Sequence, residues 1–96
     1  MKILPNDTAH DLFLKLVCAA ETVMQRTLPG LLAGSFEERP MDLESGGYFG
    51  GRKPEDGVVG WSRSAWDIHN LIRGVAPPYP GAFVDVQGRR LRLLGS

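Results

Sequence analysis

Between Gly74 and Phe83 the sequence reads GVAPPYPGAF, and prolines at 77, 78 and 80 fix φ at three of the four positions from 77 to 80. No helix runs through such a stretch, so the residues before Pro77 and after Gly81 must fold as separate elements that meet at a rigid corner. Pro77 ends whatever helix precedes it, and Gly81 lets the backbone turn before Phe83 enters the next element. A helix stop at Pro77 and a strand start at Ala82 leave about five residues between them, too few to tether two mobile domains. Pro77 and Pro80 are held between ordered elements, which argues against a free PxxP docking ligand.

The elements on either side of the corner have clear signatures. Ser64 precedes an apolar stripe of Ala65, Ile68, Ile72 and Val75 at spacings of three and four, and Asp67 stands three residues after Ser64. This predicts a helix opened by an approximate capping box, with Asp in place of Glu or Gln. After the corner, AFVDV and RRLRLL flank Gln87-Gly88, and Leu91 and Leu93 alternate with Arg90 and Arg92. The pattern predicts a β-hairpin with one wet face.

Far upstream, Leu12, Phe13, Leu16, Val17, Ala20, Val23, Met24, Leu28 and Leu31 trace one face of a long helix from Asp7 to about Leu32. Asp7 is the expected N-cap. Pro29 removes the bond to Gln25, which predicts a bend near Gln25 or an end near Thr27, and Gly34 stops the helix. From Ser35 to Trp61, short apolar pieces are punctuated by Pro40, Gly46, Gly47, Pro54 and Gly57, giving one or two short strands among turns. The expected order is long helix, short irregular β segment, second helix, proline corner and hairpin: a partial α/β architecture.

Composition narrows the function. The 96 residues are 43% hydrophobic and 23% charged, as in a globular protein with a modest core. Eleven basic residues balance eleven acidic ones, so no net field recruits nucleic acid or an anionic membrane surface. Lys15, Glu21 and Arg26 interrupt the longest apolar stretch, and MKILPNDT is too short for a signal peptide. A cytoplasmic location without a membrane span is expected. The lone Cys18 forms no internal disulfide and reads as a small buried hydrophobe rather than a nucleophile.

Chemistry-bearing residues are sparse. His10 and His69 are far apart, and neither has a second ligand at helical spacing or a cysteine pair nearby, so no metal site is expected. GGYFGGRK invites comparison with a phosphate loop, but Arg52 stands where the lysine belongs and Pro54 follows Lys53. Glycine freedom around a short strand accounts for it, with Arg52 and Lys53 available to an anion as plain charges. Glu37-Glu38 and Glu55-Asp56 lie in polar, turn-rich surroundings and read as solvated. Arg73 and Tyr79 are the candidate substrate-binding residues. Each has a structural alternative, Arg73 as the cation at a helix C-terminus and Tyr79 as a cover for the core edge.

Two longer motifs carry a resemblance. One is Asp7-Thr8-Ala9 followed by Leu12, Lys15 and Leu16. The other is Trp61-Ser62 leading into Asn70-Leu71-Ile72-Arg73 and then Pro78-Tyr79-Pro80-Gly81-Ala82-Phe83. With ILPNDTAHDLFLKL and GRRLRLLGS they make nearly the whole chain resemble the later part of formyltransferases that use 10-formyltetrahydrofolate, the family of methionyl-tRNA formyltransferase. The nearer branch is the one that formylates nucleotide-linked amino sugars such as UDP-4-amino-4-deoxy-L-arabinose. Gly60 departs from the Asp that often precedes the tryptophan.

The resemblance implies that residues 1–76 are the end of a Rossmann-like catalytic domain and residues 77–96 the corner and start of a β-barrel-like C-terminal subdomain. It also implies 10-formyltetrahydrofolate and a nucleotide-sugar as ligands of a longer parent, bound by strands ahead of Met1. The Asn-x-His and Asp-x-Gly motifs that carry the family's catalysis occur nowhere here. The expectation is therefore a partial formyltransferase, inactive alone, with no catalytic residue and no cofactor of its own. The alternatives are a stand-alone interaction module, self-associating through the long helix's apolar face, and the tRNA-directed branch of the family.

Overall fold

The computed structural model describes residues 1–96. Its elements are α1 (Ala9–Leu32), a single 3-10 turn (Pro54–Gly57), α2 (Ala65–Gly74), β1 (Ala82–Val86) and β2 (Arg89–Leu93). β1 and β2 form a two-stranded antiparallel hairpin, in register from Ala82 opposite Leu93 to Val86 opposite Arg89. Gln87 and Gly88 close it with φ of 49° and 74°. Two successive positive φ values make the primed turn whose twist suits a two-residue hairpin, and the glycine adopts its share without a Cβ clash.

α2 starts as its sequence dictates: Ser64 Oγ accepts from the Asp67 N–H at 3.1 Å and donates to Asp67 Oδ2 at 2.7 Å. The helix ends at Gly74, three residues ahead of Pro77, where the Val75 N–H still bonds the Leu71 and Ile72 carbonyls. Across the prolines the chain closes on itself. The Tyr79 N–H donates to Ala76 O at 3.1 Å and the Gly81 N–H to Val75 O at 2.8 Å, with a cis bond between Pro77 and Pro78.

The corner folds the start of β1 against the end of α2, and a small core forms between them. Val59, Ile72, Val75 and Ala82 are buried together, with Ile68, Leu71 and Leu93 packed against them. The segment after the 3-10 turn joins as a third piece: the Val59 N–H donates to Phe83 O at 2.9 Å and Val58 pairs in parallel with Phe83. Its approach is close enough that a Cβ on Gly57 would lie 2.8 Å from Gly81 O.

Four expectations are corrected. First, the N-cap of α1 is Thr8, not Asp7: Thr8 Oγ1 accepts from the Asp11 N–H, and Asp11 Oδ2 accepts from the Thr8 N–H, a reciprocal capping box. The Thr8 hydroxyl and backbone N–H hold the Asp11 carboxyl below its ordinary pKa. Second, the end near Thr27 does not occur: α1 passes through Pro29 to Leu32, the expected limit of the long helix. One bond is forgone there, but the Gly34 and Ser35 N–H groups reach back to the Leu31 and Gly30 carbonyls, with Gly34 at φ 71°, and this closure secures the last turn. Third, residues 35–53 form no strand, since the glycines and prolines bring no partner edge near them. Fourth, Cys18 is exposed, because nothing packs on its side of α1.

Asp7 has a different task. Its Oδ2 accepts from the Leu4 N–H at 2.7 Å and pairs with Lys15 Nζ, while the Asp7 carbonyl accepts from Arg73 Nη1 at 2.7 Å. His69 completes the strap. The Pro5 carbonyl can only accept, so Nε2 donates to it at 3.1 Å, and Nδ1 is hydrogen-bonded to the Ser96 hydroxyl at 2.7 Å. The N-terminal segment is thus tied to both α1 and α2, but α1 itself has no buried residue.

Phe13, Leu16, Val23, Met24 and Leu31 on α1 are each more than half exposed. The molecule measures 64 × 26 × 22 Å with a radius of gyration of 18.8 Å, where a compact domain of this length has about 13 Å. Its accessible area is 8177 Å², against roughly 5,400 Å² for a compact monomer of this mass. The roughly 2,700 Å² difference is surface that a globular chain would have covered.

Two outcomes follow. Gly57→Ala forces its methyl into the Gly81 carbonyl and is expected to destabilise the core by about 1–3 kcal/mol, seen as a lower urea midpoint. Asp7 is held below its ordinary pKa of 3.8 by Lys15 first and by the Leu4 N–H second. A lowered carboxyl stabilises fully above the unfolded value, and that contribution is lost as pH falls through the folded one. Protection of the Leu4 amide from hydrogen exchange should therefore hold at neutral pH, fade below about pH 4, and be absent at every pH in Asp7→Ala, which has no side-chain acceptor.

Candidate anion-binding cleft

The corner leaves a hollow beside it. A cleft of about 310 Å³ is lined by Arg52, Lys53 and Pro54 on one side and by Gly57, Gly74, Val75, Tyr79, Pro80 and Gly81 on the other. Two shallower hollows of about 360 and 350 Å³ share Arg52 with it, and both also take Arg63 and Leu71 into their walls. Arg52 is the residue common to all three.

Local backbone chemistry sets this geometry. Pro54 starts the 3-10 turn, and Asp56 Oδ2 accepts from the Lys53 N–H at 2.8 Å, which fixes the chain where the two basic side chains emerge. Arg52 then reaches across to the end of α2, where its Nη1 lies 3.6 Å from the place a Cβ on Gly74 would occupy. A cation there suits the negative end of the helix dipole. The glycine provides room for it.

Tyr79 is part of this cleft and 45% exposed, its position fixed by the prolines on either side. Arg73 is not. Its Nε donates to Asn70 Oδ1 at 2.8 Å and its Nη1 to the Asp7 carbonyl, so its guanidinium serves the strap between α2 and the N-terminus. The structure does not bring Arg73 and Tyr79 into one site.

Other charged groups are likewise occupied. Arg90 forks onto Asp85 at 2.9 and 3.1 Å and lies 3.8 Å from the Phe83 ring centre, lowering the Asp85 pKa and raising its own. Arg92 donates to Pro80 O at 3.2 Å and steadies the corner. Glu37 meets Arg39 on the exposed surface, and Glu55-Asp56 form the first turn of the 3-10 element. His10 is exposed on α1, while His69 belongs to the strap.

No strand precedes GGYFGGRK and no helix follows it, so its backbone does not cradle an anion as a phosphate loop does. What it presents is side-chain charge. Arg63 shares the walls of the side hollows, yet nothing in its sequence neighbourhood marks it; only the fold brings residues 52 and 63 together. No histidine lines any of the three hollows, and Asp56 and Asp67 on their rims already accept hydrogen bonds. The arrangement can bind and orient an anion, and it holds no general base beside it.

Residues 52–96 match the family described as formyl transferase, C-terminal domain. That stretch contains the whole core cluster and the cleft's lining. The chain is also 39% identical over 83 residues to the bifunctional polymyxin resistance protein ArnA of Wigglesworthia glossinidia brevipalpis. The match covers 86% of this chain and spans 13% of that relative's length. With the core, the corner and the basic segment all inside the matched residues, residues 52–96 are a formyl transferase C-terminal domain, and the chain as a whole is similar to part of a formyltransferase-related bifunctional protein.

Proposed function

We propose that the chain is a C-terminal part of a cytoplasmic formyltransferase whose longer parent moves a formyl group from 10-formyltetrahydrofolate to the amine of a nucleotide-linked amino sugar. The observation that carries this is the 39% identity sustained over 86% of the chain, together with the Trp61–Phe83 motif that carries the family resemblance. The Rossmann-like origin of residues 1–76 and the barrel-like continuation after residue 77 are part of the same proposal. The cleft does not fit a folate: its walls are basic side chains, glycines and prolines around the one ring of Tyr79. Folate binding and the formyl-transfer step are assigned to the parent's other residues.

A second reading rests on α1. Its uncovered apolar side and the roughly 2,700 Å² of excess surface exceed the ~800 Å² per partner that a standard interface buries. A chain of these 96 residues that acts as an interaction module would pair through this side.

Incubating the chain with 10-formyltetrahydrofolate and UDP-4-amino-4-deoxy-L-arabinose is expected to give no formylated product above the enzyme-free control. Turnover that disappears in His10→Ala or His69→Ala would overturn the reading of an inactive part. For the second reading, light scattering should report a dimer that becomes monomeric in Leu16→Glu/Met24→Glu; a monomeric wild type rules pairing out.

A further inference from the structure

We propose that the Arg52 cleft binds the phosphate groups of a nucleotide diphosphate, with Lys53 and Arg63 as the other two cations. Five of the chain's eleven basic side chains have partners: Lys15, Arg39, Arg73, Arg90 and Arg92. Of the six without one, Arg52, Lys53 and Arg63 gather around three hollows that share Arg52. In a chain of zero formal net charge this is a local concentration of free positive charge. It suits a small multivalent anion rather than a long polyanion, which would need a basic surface of greater extent.

The donor chemistry favours phosphate. Arg52 and Arg63 offer planar forks that match phosphate oxygens two at a time, and Lys53 adds a compact charge. A lone carboxylate ligand would be satisfied by one arginine. Gly50 and Gly51 have open space where a Cβ would stand, so an anion can approach the backbone beside Arg52 without a side chain in the way. The two rim carboxylates keep their charge while accepting from the Lys53 N–H and the Ser64 hydroxyl, so the three cations outnumber them by one and the site stays positive. A volume of about 310 Å³ is that of a small-molecule site, and Tyr79 presents an aromatic ring in the same cleft for a flat base or sugar.

The choice of a nucleotide diphosphate over another phosphate rests on the amino-sugar reading above; the phosphate site itself rests on the cleft. Titrating the isotope-labelled 96-residue chain with UDP, inorganic pyrophosphate and uridine separates the parts. UDP and pyrophosphate are expected to shift the Gly51, Arg52, Gly74 and Gly81 amides saturably, and uridine to leave Gly51 and Arg52 unmoved. Arg52→Gln and Arg63→Gln should each weaken UDP by about tenfold, the loss of a charge-assisted bond. Arg89→Gln, outside the cleft, should leave it unchanged. An absence of saturable shifts with both phosphate probes, or an equal loss in Arg89→Gln, overturns the site. Pyrophosphate binding as tight as UDP keeps the phosphate site and removes the nucleotide. Formylation by the chain itself would remove the functional reading and leave this one standing.

Discussion

The structure turns on the contact between the Gly57 and Gly81 backbones. One of the two hydrogen bonds that organise this region closes the corner, from the Gly81 N–H to Val75 O, and the other docks the incoming chain, from the Val59 N–H to Phe83 O. The first joins residues within the corner; the second brings in a stretch far upstream in sequence, and a side chain on Gly57 would hold it off, its Cβ falling 2.8 Å from Gly81 O. A Cβ on Gly81 would stand 3.0 Å from Leu94 Cδ2 in a conformation of φ 87°, so each glycine is constrained by a neighbour as well as by its own backbone. The buried side chains of Val59, Ile72, Val75 and Ala82 gather around this backbone frame. They stabilise it by removing apolar area from water, but they do not set its shape.

Elements whose determinants are local were legible in the sequence. The Ser64 cap, the Gln87-Gly88 turn and the hairpin are each specified within a few residues, and each stands where the pattern puts it, whereas the second helix stops at Gly74, ahead of the Pro77 expected to end it. Misreadings arose where two local signals competed. Asp7 and Thr8 both suit an N-cap, and Thr8 prevails because Asp11 can answer it three residues on, leaving Asp7 free for Lys15. Pro29 argues for a break, but the closure through Gly34 and Ser35 lies downstream of it and is strong enough to keep the turn. The 35–53 stretch carries strand-like residues without a neighbour to pair with, and β-structure depends on the partner more than on the residue.

The site follows the same logic. Arg52 and Lys53 were visible as charges beside glycines, and Tyr79 as a ring between prolines, because those features are local. That Arg63 belongs with them was not visible, since its place is set by the packing of α2 on the 57–59 segment. Arg73 shows the converse: its position at the end of a helix is legible, but its partner is the carbonyl of Asp7, 66 residues away. A cation's role is decided by whether the fold provides an acceptor, and sequence spacing carries no information about that.

The chain therefore divides its surface into two kinds of incompleteness. Along α1 the uncovered groups are apolar, and removing them from water favours burial by whatever surface fits. Around Arg52 the uncovered groups are charged and well solvated, so they gain from a partner only if it replaces water with oriented oxygens. The first kind tolerates many partners and contributes mainly to assembly. The second is selective, and its selectivity depends on backbone that does not shift when a ligand arrives. Lys53 stands immediately ahead of a proline-started turn, its N–H held by Asp56, and Tyr79 lies in the proline corner, two places where proline restricts the backbone. Rigid mounting lowers the entropy lost on binding, which is the physical reason for a small domain to place charges next to its stiffest backbone.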